Sequence, residues 1–242
     1  MITKEKTVAE IALEIPRAAA VFDEFGIDYC CGGEVPLAEA CSEAKVNLAE
    51  VEKALADVRD ARADADNIDW QSEPLARIVD HIVSFHHRYV RRALPRVDQL
   101  LAKVLTAHGQ KHHEVAQVQR HFHVVADELV RHMMKEEQVL FPYITQLEEA
   151  AAAKQKLAPP IFGSVRNPIR MMRAEHETAT AELKAMRKLS RDYDTPEGGC
   201  NSFRALYQAV EEFEHDLQQH IHLENDILFP RAEALEERVT KA

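Results

Sequence analysis

Glycine and proline are scarce in this chain, seven and ten in 242 residues, and aromatic side chains make up only 6%. Few chain breakers and a helical apolar period almost throughout make the expected class all-α. Basic residues are also in deficit, 30 against 41 acidic ones, for a net charge of −11. That balance argues against nonspecific binding to nucleic acid or to an anionic membrane. No apolar run is long enough to span a bilayer. The segment Met1 to Thr7 leads into an amphipathic helix without the apolar core of a signal peptide. The expected location is cytoplasmic. Cysteine is rare too, and Cys30, Cys31, Cys41 and Cys200 read as reduced thiols in that compartment.

What the chain does contain is an internal repeat. His132 and Glu136 stand one helical turn apart and run on into Val139-Leu140-Phe141-Pro142. His220 and Glu224 do the same ahead of Ile227-Leu228-Phe229-Pro230, at an offset of 88 residues. The shared pattern is H-x-x-x-E-x-x-[VI]-L-F-P. Upstream, Val115, Val118, Phe122, Val125 and Leu129 map by the same offset onto Phe203, Leu206, Val210, Phe213 and Leu217. Steps of three and four describe one buried stripe of a core-facing helix, and residues at i and i+4 share its face. The His-Glu pairs therefore lie in the stripe. A lone core histidine is ordinary, but an unpaired buried carboxylate is costly, and no Lys or Arg continues either stripe. Metal cations supply the missing charge.

Each pair is preceded by another helix carrying histidine. Ile169, Met172, His176, Ala179, Leu183 and Met186 form one stripe. Val83, His87, Val90, Leu94 and Val97 form the other. His86 competes with His87, since Val79, Ile82, Tyr89 and Ala93 make a stripe with it; comparison of the repeats favours His87. The ligand set is then His87, His132, Glu136, His176, His220 and Glu224. Four imidazoles and two carboxylates without thiolate suit iron first, then manganese, then zinc. Carboxylates bridging two metals would give about eight protein bonds. With an oxo or hydroxo bridge, that leaves roughly one open position per metal for O2, NO or water. Glu137 and His222 sit beside the ligands on adjacent faces; His108, His112, His113, His121, His123 and His215 read as surface.

The expected organisation is residues 1–60 as short helices, 61–72 as linker and 73–242 as four long helices. Thr7 to Glu10 has the form of a capping box. Tyr29-Cys30-Cys31-Gly32-Gly33 makes a tight turn. Adjacent thiols there suit a redox or transient iron contact, because a disulfide between neighbours is strained and easily reduced. Cys41 and Cys200 read as inert.

The Cys-Cys-Gly-Gly turn in a short helical domain, followed by the doubled H-x-x-x-E bundle, resembles the repair-of-iron-centres family of di-iron proteins (YtfE/ScdA/NorA type). The resemblance covers essentially the whole chain and includes Ile15-Pro16-Arg17. It implies an ScdA-type N-terminal domain and a hemerythrin-like antiparallel four-helix bundle. By matched positions it places the first imidazole on His87 and the rest on His132, Glu136, His176, His220 and Glu224. Both glutamates would then bridge two irons, and Cys30 and Cys31 would lie near a path to the site. It also implies a role in restoring iron–sulfur clusters damaged by nitric oxide or oxidants. Iron donation is the first reading. A di-iron NO reductase or NO scavenger is the second, and a hemerythrin-like sensor of O2 or iron the third. On the first reading the protein is a repair factor more than an enzyme, its partners are NO and damaged iron–sulfur proteins, and a homodimer is compatible.

Overall fold

The computed structural model describes residues 5–15, 18–27, 29, 33–60 and 68–241. Among these, the regular elements are helical, and the one β-type pairing is an isolated bridge between Thr7 and Pro36. Cys30, Cys31, Gly32, Pro16 and linker residues 61–67 lie outside the described residues.

Four short helices come first: α1 (Val8–Glu14), α2 (Ala18–Glu24), α3 (Leu37–Ala44) and α4 (Leu48–Asp60). Thr7 opens α1 as the expected capping box, its hydroxyl accepting from Glu10 N while the Glu10 carboxylate accepts from Thr7 N. These helices share a small core around Ile11, Phe22, Tyr29, Leu37 and Leu55.

Four long rods follow. The first, α5, runs through Leu75–His81, a π-helical turn Ile82–His87 and Arg88–His108. The second, α6, runs through Glu114–Lys135, a π turn Glu136–Leu140 and Phe141–Ala152. The third, α7, is Arg166–Ser190 without interruption. The fourth, α8, runs through Asn201–His222, a π turn Leu223–Leu228 and Phe229–Lys241. α6 packs chiefly on α7 and α8 on α5. Two apolar cores fill the bundle. One is built around Val97, Phe122, Leu183 and Phe213, the other around Ile78, Ile144, Met172 and Leu228. The six candidate ligands occupy the layer between them.

The π turns explain the trailing Leu-Phe-Pro. Proline in a helix lacks an N–H and collides with the carbonyl four residues back. For Pro142 and Pro230 those carbonyls belong to Gln138 and Asp226, and both fall inside a π turn. The wider turn relieves the conflict, and each begins at or beside a ligand glutamate. Such turns concentrate at functional sites.

The π turn in α5 has another origin. Downstream of it, His87, Val90, Val97 and Leu101 match buried His176, Ala179, Met186 and Ser190 of α7 at an offset of 89. Upstream, Leu75, Ile78 and Ile82 match buried Val165, Pro168 and Met172 at an offset of 90. α5 therefore holds one residue more than α7, absorbed as a π turn. Both competing stripes of the sequence contribute buried residues, Ile82, His86 and Ala93 from one and His87, Val90 and Val97 from the other. Ile78 is buried before the turn, Ile82, His86 and His87 within it, and Val90 and Val97 after it.

The repeat extends to the helix starts. Glu148 on α6 caps α5, accepting from Leu75 N at 2.7 Å and Ala76 N at 2.9 Å. Glu236, its mate at the offset of 88, accepts from Val165 N at 2.8 Å ahead of α7. Carboxylates at helix N-termini satisfy otherwise unpaired N–H groups.

Candidate metal centre

All six residues singled out in the bundle converge on one buried layer. His87, Glu136, His220 and Glu224 are fully buried, and His132 and His176 are 2% exposed. They form two groups with donor atoms within 4.8 Å of one another: His87, Glu136, His220 and Glu224, and His132, Glu136, His176 and Glu224. Both glutamates belong to both groups. Glu136 Oε1 lies 3.1 Å from His132 Nε2, and its Oε2 3.4 Å from His87 Nε2. Glu224 Oε1 lies 3.1 Å from His220 Nε2, and its Oε2 3.1 Å from His176 Nε2. Each carboxylate thus reaches across from the imidazole on its own helix to one on another.

Hydrogen bonding leaves much of this polarity unspent. His87 Nε2, both Glu136 oxygens and Glu224 Oε2 are buried and in no hydrogen-bond geometry. Unpaired buried carboxylate oxygens carry a large desolvation cost. The carboxylates also draw positive charge onto the rings. Burial opposes protonation of His132, but Glu136 beside it prevails and pushes its pKa up to about 10. His220 is raised in the same sense, burial being outweighed by Glu224. Glu224 is held well below the usual carboxylate range despite burial, by His220 and His176. Nitrogen and oxygen donors with orphaned lone pairs, in a cage that attracts positive charge, fit a pair of cations.

Outside the cage, three imidazoles have partners on Nδ1. His87 donates to Glu137 Oε1 at 2.6 Å, and Arg91 also holds that carboxylate. His132 donates to Glu175 Oε2 at 2.8 Å, with Lys135 on the other Glu175 oxygen. His132 and Lys135 keep Glu175 down at about 2. His176 donates to Asn225 Oδ1 at 3.0 Å. Such contacts fix the tautomer and ring orientation of a metal-binding imidazole. His220 Nδ1 has no partner.

His86 is buried, but it joins neither group. Its Nδ1 lies 3.1 Å from Asp216 Oδ1, and its ring stacks on His220 at 5.6 Å. His222 is buried, bonded to Asp226 and packed edge-on against Tyr29 at 5.3 Å. Cys30 and Cys31 lie outside the described residues. Glu175, Asn225 and Asp216 were not picked out by sequence reasoning. The signal was available for two of them, since Asn225 is the repeat mate of Glu137, and Glu175 adjoins His176.

Comparison with known proteins agrees with this arrangement. Residues 78–232 match the hemerythrin HHE cation binding domain, and residues 4–59 match ScdA_N, a domain of unknown function (DUF542). A probable iron–sulfur cluster repair protein of Haemophilus influenzae is 37% identical over 227 residues, covering 94% of this chain and 96% of that protein. The iron–sulfur cluster repair protein YtfE of Pectobacterium carotovorum is 36% identical over 236 residues, covering 96% and 98%. YtfE of Escherichia coli O81 is 35% identical over 232 residues, again covering 96% and 98%. Among the described residues no helix is long and apolar enough to cross a membrane. With a hemerythrin HHE match over most of its length and full-length relatives well above 30% identity, the chain belongs to the YtfE-type family that joins an ScdA_N domain to a hemerythrin HHE bundle.

Proposed function

We propose that this chain restores damaged iron–sulfur clusters in the cytoplasm by donating iron. The iron would be held as a pair by His87, His132, Glu136, His176, His220 and Glu224, with an oxo or hydroxo bridge between the ions. The observation that carries the reading is the buried cage in which two carboxylates each serve both groups of imidazoles. Relatives named for iron–sulfur cluster repair over nearly their full length support it. Iron bound there would supply redox chemistry and open positions for NO or O2.

The protein's own part is to hold and to release. A carboxylate that reaches two positions can keep one while its other oxygen swings free, which would let an ion leave without the bundle opening. Residues 1–60 form the ScdA-type domain in this reading and 61–72 the linker to the bundle at 73–242. Cys30 and Cys31 are given the redox or iron-transfer step. The test is recovery of cluster absorbance and activity in an NO-treated iron–sulfur enzyme incubated with the iron-loaded protein. Recovery is expected with the native chain, with close to two irons bound per chain. Glu136→Ala and Glu224→Ala should lose the iron pair and the recovery together. Two irons retained tightly by either variant would overturn the assignment, and N2O released over many turnovers without cluster recovery would favour NO reduction.

A further inference from the structure

The two halves of the bundle are related by the repeat, so every residue around the cage has a counterpart. His87 and His176 are mates, as are His132 and His220, and Glu136 and Glu224. The partners on Nδ1 follow the same relation. Glu137, which serves His87, has Asn225 as its mate, which serves His176. Glu175, which serves His132, has His86 as its mate at the offset of 89. Here the correspondence fails. Where α7 offers a carboxylate to His132, α5 offers an imidazole that lies flat against His220, at 12° between ring planes, and turns its Nδ1 to Asp216.

The consequence falls on one side only. In the group of His132 and His176, both rings are tied from outside, one to a carboxylate and one to an amide. Their Nε2 atoms already converge at 3.1 Å. In the group of His87 and His220, only His87 is tied, and His220 Nδ1 is buried without a partner. Asp216, one turn before His220 on the same helix, also keeps a buried oxygen, Oδ2, without a partner. An imidazole that binds a cation through Nε2 needs an acceptor for the proton on Nδ1. Loss of such an acceptor typically lowers metal affinity by about 10- to 100-fold.

We infer that the two cation positions are unequal, and that the one between His87 and His220 is the position that exchanges while the one between His132 and His176 is retained. This rests on the di-metal reading above and deepens it, because it names which ion the repair reaction would draw on. His86 is the residue that sets the difference. It withholds from His220 the acceptor that Glu175 gives His132, and the extra residue of α5 lies in the same π turn that carries it.

Chelator-treated full-length protein would be titrated with Co(II), and the two dissociation constants obtained by competition with a chromophoric chelator. The native chain is expected to bind in two steps separated by about 10-fold or more. Glu175 and Glu137 have similar, partly exposed side chains, so their substitutions should leave the fold intact, which circular dichroism would check. Glu175→Gln should weaken the tighter step and leave the weaker one unchanged. Glu137→Gln should weaken only the weaker step. His86→Gln, which offers His220 a neutral amide as Asn225 does for His176, should strengthen the weaker step and narrow the gap. Equal steps in the native chain, the reverse assignment of the two glutamate variants, or no gain in His86→Gln would overturn the inference while leaving the metal centre standing. Failure to bind any Co(II) would overturn both.

Discussion

Cys200 stands exposed at the start of α8 with its Sγ 3.1 Å from His108 Nε2. From sequence it reads as an inert thiol; the contact with His108 argues for reactivity instead. The His108 contact, with backbone N–H groups of Phe203 and Ser202, lowers its pKa to about 7. Thiolate is the reactive form, so reactivity should rise with pH through about 7 and be largely complete one unit above. Peptide-resolved iodoacetamide labelling should show that midpoint, and His108→Ala should move it upward toward the ordinary thiol value. The two residues are 92 positions apart, and neither carries a repeat partner that would announce the pairing. The cage residues were legible for the opposite reason. They recur at fixed offsets inside apolar stripes, where a polar residue stands out. Glu175 and Asp216 escaped notice because each lies off its stripe, and their role depends on which nitrogen of a neighbouring ring faces them.

At the level of elements, helical periodicity located the rods and their buried faces but not the π turns. One extra residue in a helix changes the register without changing the composition. Sequence shows it only as an offset that passes from 90 to 89 along α5. The proline-linked turns test the argument directly. Pro142→Ala restores an N–H and lifts the bar of about 3 kcal/mol that proline sets against a regular helix here. Chelator-treated Pro142→Ala protein should therefore melt higher than the native chain. Its Co(II) affinity should fall about 10-fold or more, because Glu136 leaves its position as the turn tightens. A melt and a competition titration on one sample would check both. The capping glutamates make a second comparison. Glu236 accepts from Tyr143 Oη, Ser164 Oγ and Val165 N in a buried setting. Glu236→Ala would strand all three donors and should destabilise by about 3 kcal/mol or more. Glu148 caps in a half-buried setting, and Glu148→Ala should cost about 1 kcal/mol. Urea denaturation of the two variants should preserve that order.

For the whole molecule, the cage sets a conflict between stability and function. Two buried carboxylates placed to share their neighbours repel one another, and burial and Glu224 both push the Glu136 pKa up before His132 and His87 bring it below the usual carboxylate range. A cation bound to the folded chain removes that repulsion and adds its binding free energy, about 2.7 kcal/mol at a hundredfold excess over Kd. For a chain of this length that corresponds to about 5–10 °C in Tmelt. Chelator-treated protein should gain that much on adding Co(II), and Glu224→Ala should gain far less; differential scanning calorimetry would read both. The short N-terminal helices keep a separate core, yet Tyr29 is buried against His222 on the rod that bears His220 and Glu224.

The additional residue of α5 has a meaning beyond its own turn. Two copies of one hairpin, associating as separate chains, would present a pair of seats identical by symmetry, and no substitution could alter one without the other. Joining the hairpins end to end lifts that restriction. A change confined to one half, such as the added residue of α5 and His86 in the same turn, then bears on one seat and leaves its counterpart alone.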